Sequence, residues 1–447
     1  MYLSPLGFDK KMANFNSHGW NRKRMDKPRT LEQIKNDIRS RVGHRAPFNH
    51  ADKQEAEEVL AKLNSVDGEA WAAVWNELGA RWEEKARKAE AGGKRDEAKQ
   101  AYLKSYGYYG IGRHPFPSTP GKQHAYLKAR EMHLAASRYF DIPLERIAIP
   151  FHGKEIVGHL RPPKKTPAPL VMHWGGIDNW KEERHTFAER FVKEGWGCLV
   201  LDSPGTGECP SLASPDAHQV HVAALDYMMK RREIDPDRIA VVGASFGGYW
   251  ATKLAHVEPK RLRAVVNWGG GIHFFFQPEW QERSRNADSY LFDLIEARAN
   301  LFGKKTMDEL NQVMPALSLL TQGWLDKPSA PMLLVNGKED QQVPLEDFYL
   351  LLEHGHPKTI RLFPGGHMGN IPFVFETVIP WLHRIYDRVL GTTLLKPVLA
   401  YATIGVIMLA GVGVTPGLGQ ELLPSFKERD FLMHWITKPG TSHTEMW

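Results

Sequence analysis

The chain has 447 residues, of which 42% are hydrophobic and 25% charged, with 39 Gly and 30 Pro; that composition belongs to a folded protein with room for a sizeable core and excludes a collagen-like or wholly disordered one. The net charge is +6, and much of the excess lies in Lys10, Lys11, Arg22, Lys23, Arg24, Lys27 and Arg29, which reads as a solvated basic arm and not as a nucleic-acid signature. Two cysteines, Cys198 and Cys209, give no disulfide framework and no Cys-based metal site, and Met1 to Thr30 lacks the apolar stretch of a secretory signal, so a cytoplasmic location is expected.

Residues 1–50 lack sustained periodicity and are expected to form a basic flexible arm with at most a short helix near Thr30–Val42. Residues 51–142 read as a helical, cap-like region. From Gln54 to Phe140, Ala, Leu, Trp and Tyr recur at three- and four-residue steps, and Gly92-Gly93 and Pro115–Pro120 punctuate the run into three or four helices. Trp71–Glu90 and Asp96–Gly107 resemble a tetratricopeptide-type hairpin, but no second copy follows at a fixed period, which argues against a solenoid. Tyr106, Tyr108 and Tyr109 are expected to pack between helices, with a lid over a substrate pocket as the alternative.

Residues 143–392 change rhythm. Arg146–Phe151 and Glu155–Leu160 predict a hairpin around His152-Gly153, and the short apolar runs Leu170–His173, Gly197–Asp202, Ile239–Val242, Ala264–Asn267, Met332–Asn336 and Ile360–Phe363 alternate with helical stretches. That alternation predicts an α/β fold with a mostly parallel sheet covered on both faces, carrying a helical insertion at about 273–328 and a last helix at about Ile371–Leu390. Residues 393–447 form an apolar C-terminal extension. Pro397–Gly419 has no charge, and about 23 residues of helix would reach ~34 Å, enough for a bilayer; Gly405, Gly411, Gly413, Pro416 and Gly417 weaken that helix. A membrane span or contact through 397–419 and docking of the tail on the protein or on a partner stand as alternatives.

The chemistry centres on Val241-Val242-Gly243-Ala244-Ser245-Phe246-Gly247-Gly248, an apolar strand running through G-x-S-x-G into a helix. This is the pattern of a nucleophile elbow, whose strained turn lifts the Ser245 hydroxyl clear of the backbone. A serine needs a base, and the base needs an orienting carboxylate, in the chain order Ser, acid, His. Asp340 follows the strand Met332–Asn336, with Glu339 as the competing carboxylate, and His367 lies on the loop Pro364-Gly365-Gly366-His367-Met368-Gly369. The remaining histidines are expected mostly at helix surfaces or in the arm. For the oxyanion, Phe246 N–H supplies one donor; the second is assigned to Ile177 in His173-Trp174-Gly175-Gly176-Ile177, with Gly176 as fallback. Asp202-Ser203-Pro204-Gly205-Thr206-Gly207-Glu208 lacks the ending of a phosphate loop and reads as a turn after a strand. No spaced His and carboxylate group points to a metal, and no cofactor is expected.

Taken together, these pieces resemble the branch of the α/β-hydrolase superfamily that holds dihydroxypseudooxynicotine hydrolase and the fungal polyketide-shortening hydrolases. The resemblance runs from about Arg81 to Leu390 and includes Gly175-Gly176-Ile177, Lys181-Glu182-Glu183, the 202–208 turn, Trp268-Gly269-Gly270 and the Asp340 and His367 loops. It implies hydrolysis of a C–C bond beside a ketone, of the β-diketone or acyl-aromatic type. It also implies that Asp178, shorter than the glutamate of the nicotine-pathway enzyme, contacts the substrate or its leaving group; a cap on the helix near Lys181 is the other reading of that residue. An ester, thioester or peptide hydrolase is the alternative on the same fold, and a non-catalytic interaction protein the alternative of another class. The expected partner is a small-molecule substrate, with no nucleic acid; a homodimer and a membrane-associated tail are left open.

Overall fold

A computed structural model of the chain describes residues 29–285, 287, 290–354, 358–369, 371–386 and 397–414. Eight strands form one sheet: β1 Glu145–Phe151, β2 Lys154–Arg161, β3 Ala168–Trp174, β4 Gly197–Leu201, β5 Ile234–Ala244, β6 Ala264–Trp268, β7 Met332–Gly337 and β8 Lys358–Phe363. Their spatial order is β1-β2-β4-β3-β5-β6-β7-β8. β1 and β2 make the expected antiparallel hairpin, closed at Phe151↔Lys154 by His152 and Gly153, both at positive φ, the geometry that a two-residue hairpin turn requires. β2 runs antiparallel to β4, and every later pairing is parallel. All residues of β3, β4, β6 and β7 are buried, which is why these strands read as continuous apolar runs.

Side chains alternate between the two faces of the sheet. Leu170, Met172, Trp174, Val241, Val265 and Leu334 enter one core, and Val171, Val200, Ala240, Val242, Val266 and Val335 enter the other. The helices α6 His185–Lys193, α7 Gln219–Met229, α8 Phe246–Val257, α12 Glu346–Glu353 and α13 Ile371–Tyr386 follow strands or connect them, while α9 Pro278–Ser284, α10 Leu294–Asn300 and α11 Met307–Val313 form the insertion between β6 and β7. The part of the last helix expected at 387–390 lies outside the described residues. This strand order, with the crossover helices, is the α/β-hydrolase fold.

Before the sheet come α1 Leu31–Arg41, α2 Lys53–Lys62, α3 Gly68–Ala91, α4 Arg95–Arg113 and α5 Pro120–Ser137. Asp67 and Thr119 cap α3 and α5, the latter with Pro120 in its first turn. The short helix expected near Thr30–Val42 is α1, but the expectation of a flexible arm over 1–50 needs correction for its second part. Thr30 and Gln33 form a capping box on α1, and Ile34, Ile38 and Val42 are buried with Phe48 against Trp71 and Trp75. Apolar residues spaced four apart among charges make a narrow stripe, and it packs beside α2 into the core that Trp71 and Trp75 share. Residues 1–28 lie outside the described residues.

Tyr106 and Tyr109 pack in one helical core and Tyr108 in another. The histidine expectation also needs correction. His133 and His159 are buried, and His50 and His185 half-buried, in one aromatic cluster with Tyr106 and Phe140, where α5 and the loop before α2 meet β2 and α6.

Pro397–Val414 is an 18-residue helix in a separate unit of the chain, and Ile404, Val406, Ile407, Met408 and Leu409 are exposed on it. Its length of about 27 Å falls short of the ~30 Å hydrocarbon core of a bilayer. Among the described residues no helix is long and apolar enough to cross a membrane; residues 415–419 lie outside the described residues.

Candidate active site

Ser245 sits between β5 and α8 with φ +56°, a left-handed conformation that costs a non-glycine residue on the order of 1–3 kcal/mol. The turn is held by the Ser245 N–H donating to Trp268 O at 2.7 Å and by Gly248 N–H donating to Ser245 O at 2.7 Å. It also needs room, since a Cβ on Gly243 would lie 2.0 Å from Gly247 O. The G-x-S-x-G spacing is thus a packing requirement of the elbow.

His367 Nε2 lies 2.8 Å from Ser245 Oγ, and its Nδ1 lies 2.7 Å from Asp340 Oδ2. Asp340 Oδ1 accepts the N–H groups of Gln342 at 2.7 Å and Val343 at 3.1 Å, and Oδ2 accepts a further bond from Asn336 Nδ2 at 2.8 Å. The Asp340 side chain is wholly buried, whereas Glu339 is exposed and meets the His367 loop through its N–H, which donates to Gly365 O at 2.9 Å. The two neighbouring carboxylates are therefore separated by burial and direction.

Asn336 was not among the residues singled out from the sequence. It is the penultimate residue of β7, and its Oδ1 accepts the N–H of Met368, at positive φ, at 3.0 Å. Trp268 Nε1 donates to Met368 O at 2.7 Å. The His367 loop is thus fixed on both sides by the ends of β6 and β7.

Gly176 touches the nucleophile directly, for a Cβ there would lie 2.8 Å from Ser245 Cβ, 3.0 Å from Ser245 Oγ and 3.6 Å from Phe246 N. Phe246 opens α8, so its N–H has no acceptor within the helix. Ile177 follows Gly176, is buried, and its carbonyl accepts Trp180 Nε1 at 3.0 Å. The site therefore sets the Phe246 amide and the 176–177 segment beside Ser245.

This segment is braced from two sides. From α4, the buried Arg113 pairs with Glu183, donates to Asp178 O at 3.0 Å and lies over the Trp180 ring. From the 202–208 turn, Ser203 Oγ donates to Gly175 O at 2.8 Å, and Asp202 accepts both Lys181 N and Lys181 Nζ at 2.8 Å. Lys181 Nζ also meets Glu182 at 2.9 Å and Glu208 at 2.8 Å. Burial alone would push this ammonium down, but Asp202, Glu182, Tyr126 and Glu208 overcome it and hold Lys181 well above its ordinary value. The turn after β4 is more than a connection, because its carboxylates fix the start of the 3-10 turn Glu182–Arg184.

Asp178 is half-buried, and that turn is entered through Lys181 without a side-chain cap, so the reading of Asp178 as a helix cap is corrected. The buried Tyr290 phenol, whose hydroxyl has no hydrogen-bond partner among the described residues, is raised well above its ordinary value by burial and then by the nearby Asp178. Among the described residues no group of three or more His, Cys, Asp or Glu is placed to hold a metal ion.

The same fold recurs in solved structures. The 2,6-dihydroxy-pseudo-oxynicotine hydrolase superposes with a TM-score of 0.64 at 21% identity, covering 79% of this chain and 95% of that one. AbyA5 superposes with a TM-score of 0.63 at 20% identity, covering 84% and 100%. In sequence, the chain is 25% identical over 293 residues to esterase FrsA of Photobacterium profundum, covering 64% of this chain and 69% of the relative. It is 26% identical over 288 residues to esterase FrsA of Yersinia pestis (strain Pestoides F), covering 63% and 68%. A family model for FrsA-like esterases matches residues 15–362, a span that takes in the elbow, the oxyanion segment and the Asp340 loop. With an α/β-hydrolase sheet carrying a serine elbow and a family match over most of its length, the chain belongs to the FrsA-like esterase family.

Proposed function

We propose that the chain is a serine hydrolase that cleaves a small carboxylic ester through an acyl-enzyme. The observation that carries this reading is the continuous relay from Ser245 Oγ to His367 Nε2 at 2.8 Å and from His367 Nδ1 to Asp340 Oδ2 at 2.7 Å. In the proposed reaction His367 Nε2 takes the hydroxyl proton as Ser245 Oγ bonds to the carbonyl carbon, and the buried Asp340 carboxylate supports the imidazolium that forms. The N–H groups of Phe246 and Ile177 receive the oxyanion. Collapse breaks the bond to the leaving alkoxide, to which His367 returns the proton. A water then gives a proton to His367 and attacks the acyl carbon; the acid departs, and Ser245 Oγ regains its proton.

A second reading, cleavage of a C–C bond beside a ketone, is favoured by Asp178, next to the oxyanion segment and within electrostatic reach of Tyr290, whose buried hydroxyl has no hydrogen-bond partner among the described residues. A carbanion leaves far less readily than an alkoxide, so the departing fragment must be an enolate or an electron-poor ring, and a polar pair at that position would hold it while it takes its proton. A paired assay decides between the two. Turnover of aryl and alkyl esters with β-diketones untouched supports the ester reading; an acid and a ketone formed from a β-diketone supports the second; inertness toward both classes counts against a hydrolase.

A further inference from the structure

Arg298 is 1% exposed on α10, yet among the described residues it makes no ion pair with a carboxylate. Its Nη1 donates to Gln281 Oε1 and Ser284 Oγ, each at 2.7 Å, its Nη2 reaches Gln342 O at 3.3 Å, and its guanidinium lies 5.0 Å from the centre of the Phe275 ring. All these partners are neutral. Burial lowers it to about 10, so at neutral pH it remains a cation. The carboxylate within its electrostatic reach is Asp340. The insertion thus carries a buried positive charge to the back of the acid loop.

We propose that Arg298 is a positioning residue for the Asp340 and His367 pair, holding the acid loop through the Gln342 carbonyl and opposing protonation of His367 with its charge. The mechanical part follows from adjacency. Gln342 offers its carbonyl to Arg298 and to Trp280 Nε1, at 2.9 Å, while its own N–H grips Asp340 Oδ1 at 2.7 Å. One peptide therefore transmits the position of α9 and α10 to the acid. The electrostatic part follows from sign. A cation behind the acid loop disfavours a second positive charge on the far side of that loop. The ionisable groups around the pair are few: Arg298 faces Tyr290 and Asp340, Tyr290 faces Asp178 and Arg113, and His367 faces Asp340 and Ser245.

This inference rests on the serine-hydrolase reading, so turnover of an aryl ester by the wild-type protein is measured first; no turnover fails that reading, whereas turnover lets the inference fail alone. The pH dependence of kcat/KM is then compared for wild type, Arg298→Gln, Arg298→Lys and Gln281→Glu, with thermal unfolding run beside each. Arg298→Gln removes the charge and Gln281→Glu neutralises it with the arginine in place; both are expected to move the acid limb upward by roughly 0.5 to 1 pH unit. Arg298→Lys keeps the charge but loses the fork; its acid limb is expected to stay within about 0.2 unit of wild type while kcat falls about tenfold with KM unchanged. An acid limb that stays in place in the two charge-removing variants, or moves equally in Arg298→Lys, overturns the proposal and leaves Arg298 a packing residue. Gln281→Glu retains the buried arginine, so the comparison survives if Arg298→Gln does not fold.

Discussion

Asn336 and Asp340, four residues apart, hold each other at the end of β7: Asn336 Nδ2 donates to Asp340 Oδ2 at 2.8 Å while Asn336 Oδ1 accepts Met368 N–H at 3.0 Å. One amide thereby links the acid to the loop that carries His367. Asn336→Ala is expected to leave the Met368 N–H without its acceptor and to cost about 1–3 kcal/mol of stability. Loosening the relay is expected to lower kcat about 10- to 100-fold with a smaller change in KM. Ester kinetics and thermal unfolding of the variant check both; unchanged kcat would make Asn336 a structural residue only.

The assignment of the acid is tested by a pair of isosteric changes. Asp340→Asn is expected to reduce kcat by about 10³- to 10⁴-fold, because the amide cannot hold His367 in the right tautomer. The exposed Glu339→Gln is expected to leave kcat within about twofold, as surface changes away from a site do. Steady-state kinetics of the two proteins check this, and a reversed order would put Glu339 in the relay.

Gly176→Ala places a methyl 2.8 Å from Ser245 Cβ, so the oxyanion segment must withdraw from the nucleophile. Loss of a well-placed donor typically costs about 10²- to 10³-fold in kcat, and a fall of that size is expected with an unchanged far-ultraviolet circular dichroism spectrum. Retained activity would show that the segment does not border the reacting carbonyl.

Acid sensitivity should come from the histidine cluster. Burial lowers His50 to about 4 and His159 and His185 to about 3, and holds His133 well below its ordinary value, with both His133 ring nitrogens lacking a hydrogen-bond partner. These rings are neutral in the fold. On unfolding they regain an ordinary pKa near 6.5. Above that pH neither state binds the proton; below it the unfolded chain does and the folded one does not, so stability falls as pH drops from about 6.5 toward the folded values near 3–4, by about 1.4 kcal/mol per pH unit for each ring. Urea unfolding between pH 7 and pH 5 is expected to show this loss, and His133→Phe to show less of it by one ring's share. An identical pH dependence in His133→Phe would place the acid sensitivity elsewhere.

The parts of the site legible in the sequence were those whose chemistry requires a local pattern. Gly243-Ala244-Ser245-Phe246-Gly247 announces a turn that admits no Cβ on its glycines, and the short apolar runs announce strands buried on both faces. Asp340 and His367 could be found because each follows a recognisable strand. What was not legible depends on partners distant in the chain. Asn336 is one polar residue in an apolar strand until Met368 lies beside it, Lys181 is one more surface-type lysine until Asp202 and Glu208 enclose it, and Arg298 gains its meaning from Gln342. The stripe Ile34, Ile38 and Val42 was too narrow, among charges, to reveal that α1 packs beside α2 into the core of Trp71 and Trp75. His133 and His159, on a helix with a weak apolar face and on a strand near the sheet edge, gave no periodic sign of burial.

Lys181→Met would remove the cation from among Glu182, Asp202 and Glu208. Breaking a buried ion cluster from one side costs about 3–5 kcal/mol. The expected result is a markedly lower unfolding midpoint; a midpoint equal to wild type would show that the cluster is solvated.

The central claim is that Ser245 is the nucleophile. Intact-mass and peptide mapping after exposure to a fluorophosphonate tests it: the account predicts a single adduct per chain on the Ser245 peptide, absent in Ser245→Ala and strongly slowed in His367→Ala. An unlabelled wild-type protein, or an adduct on another residue that persists in Ser245→Ala, would contradict it.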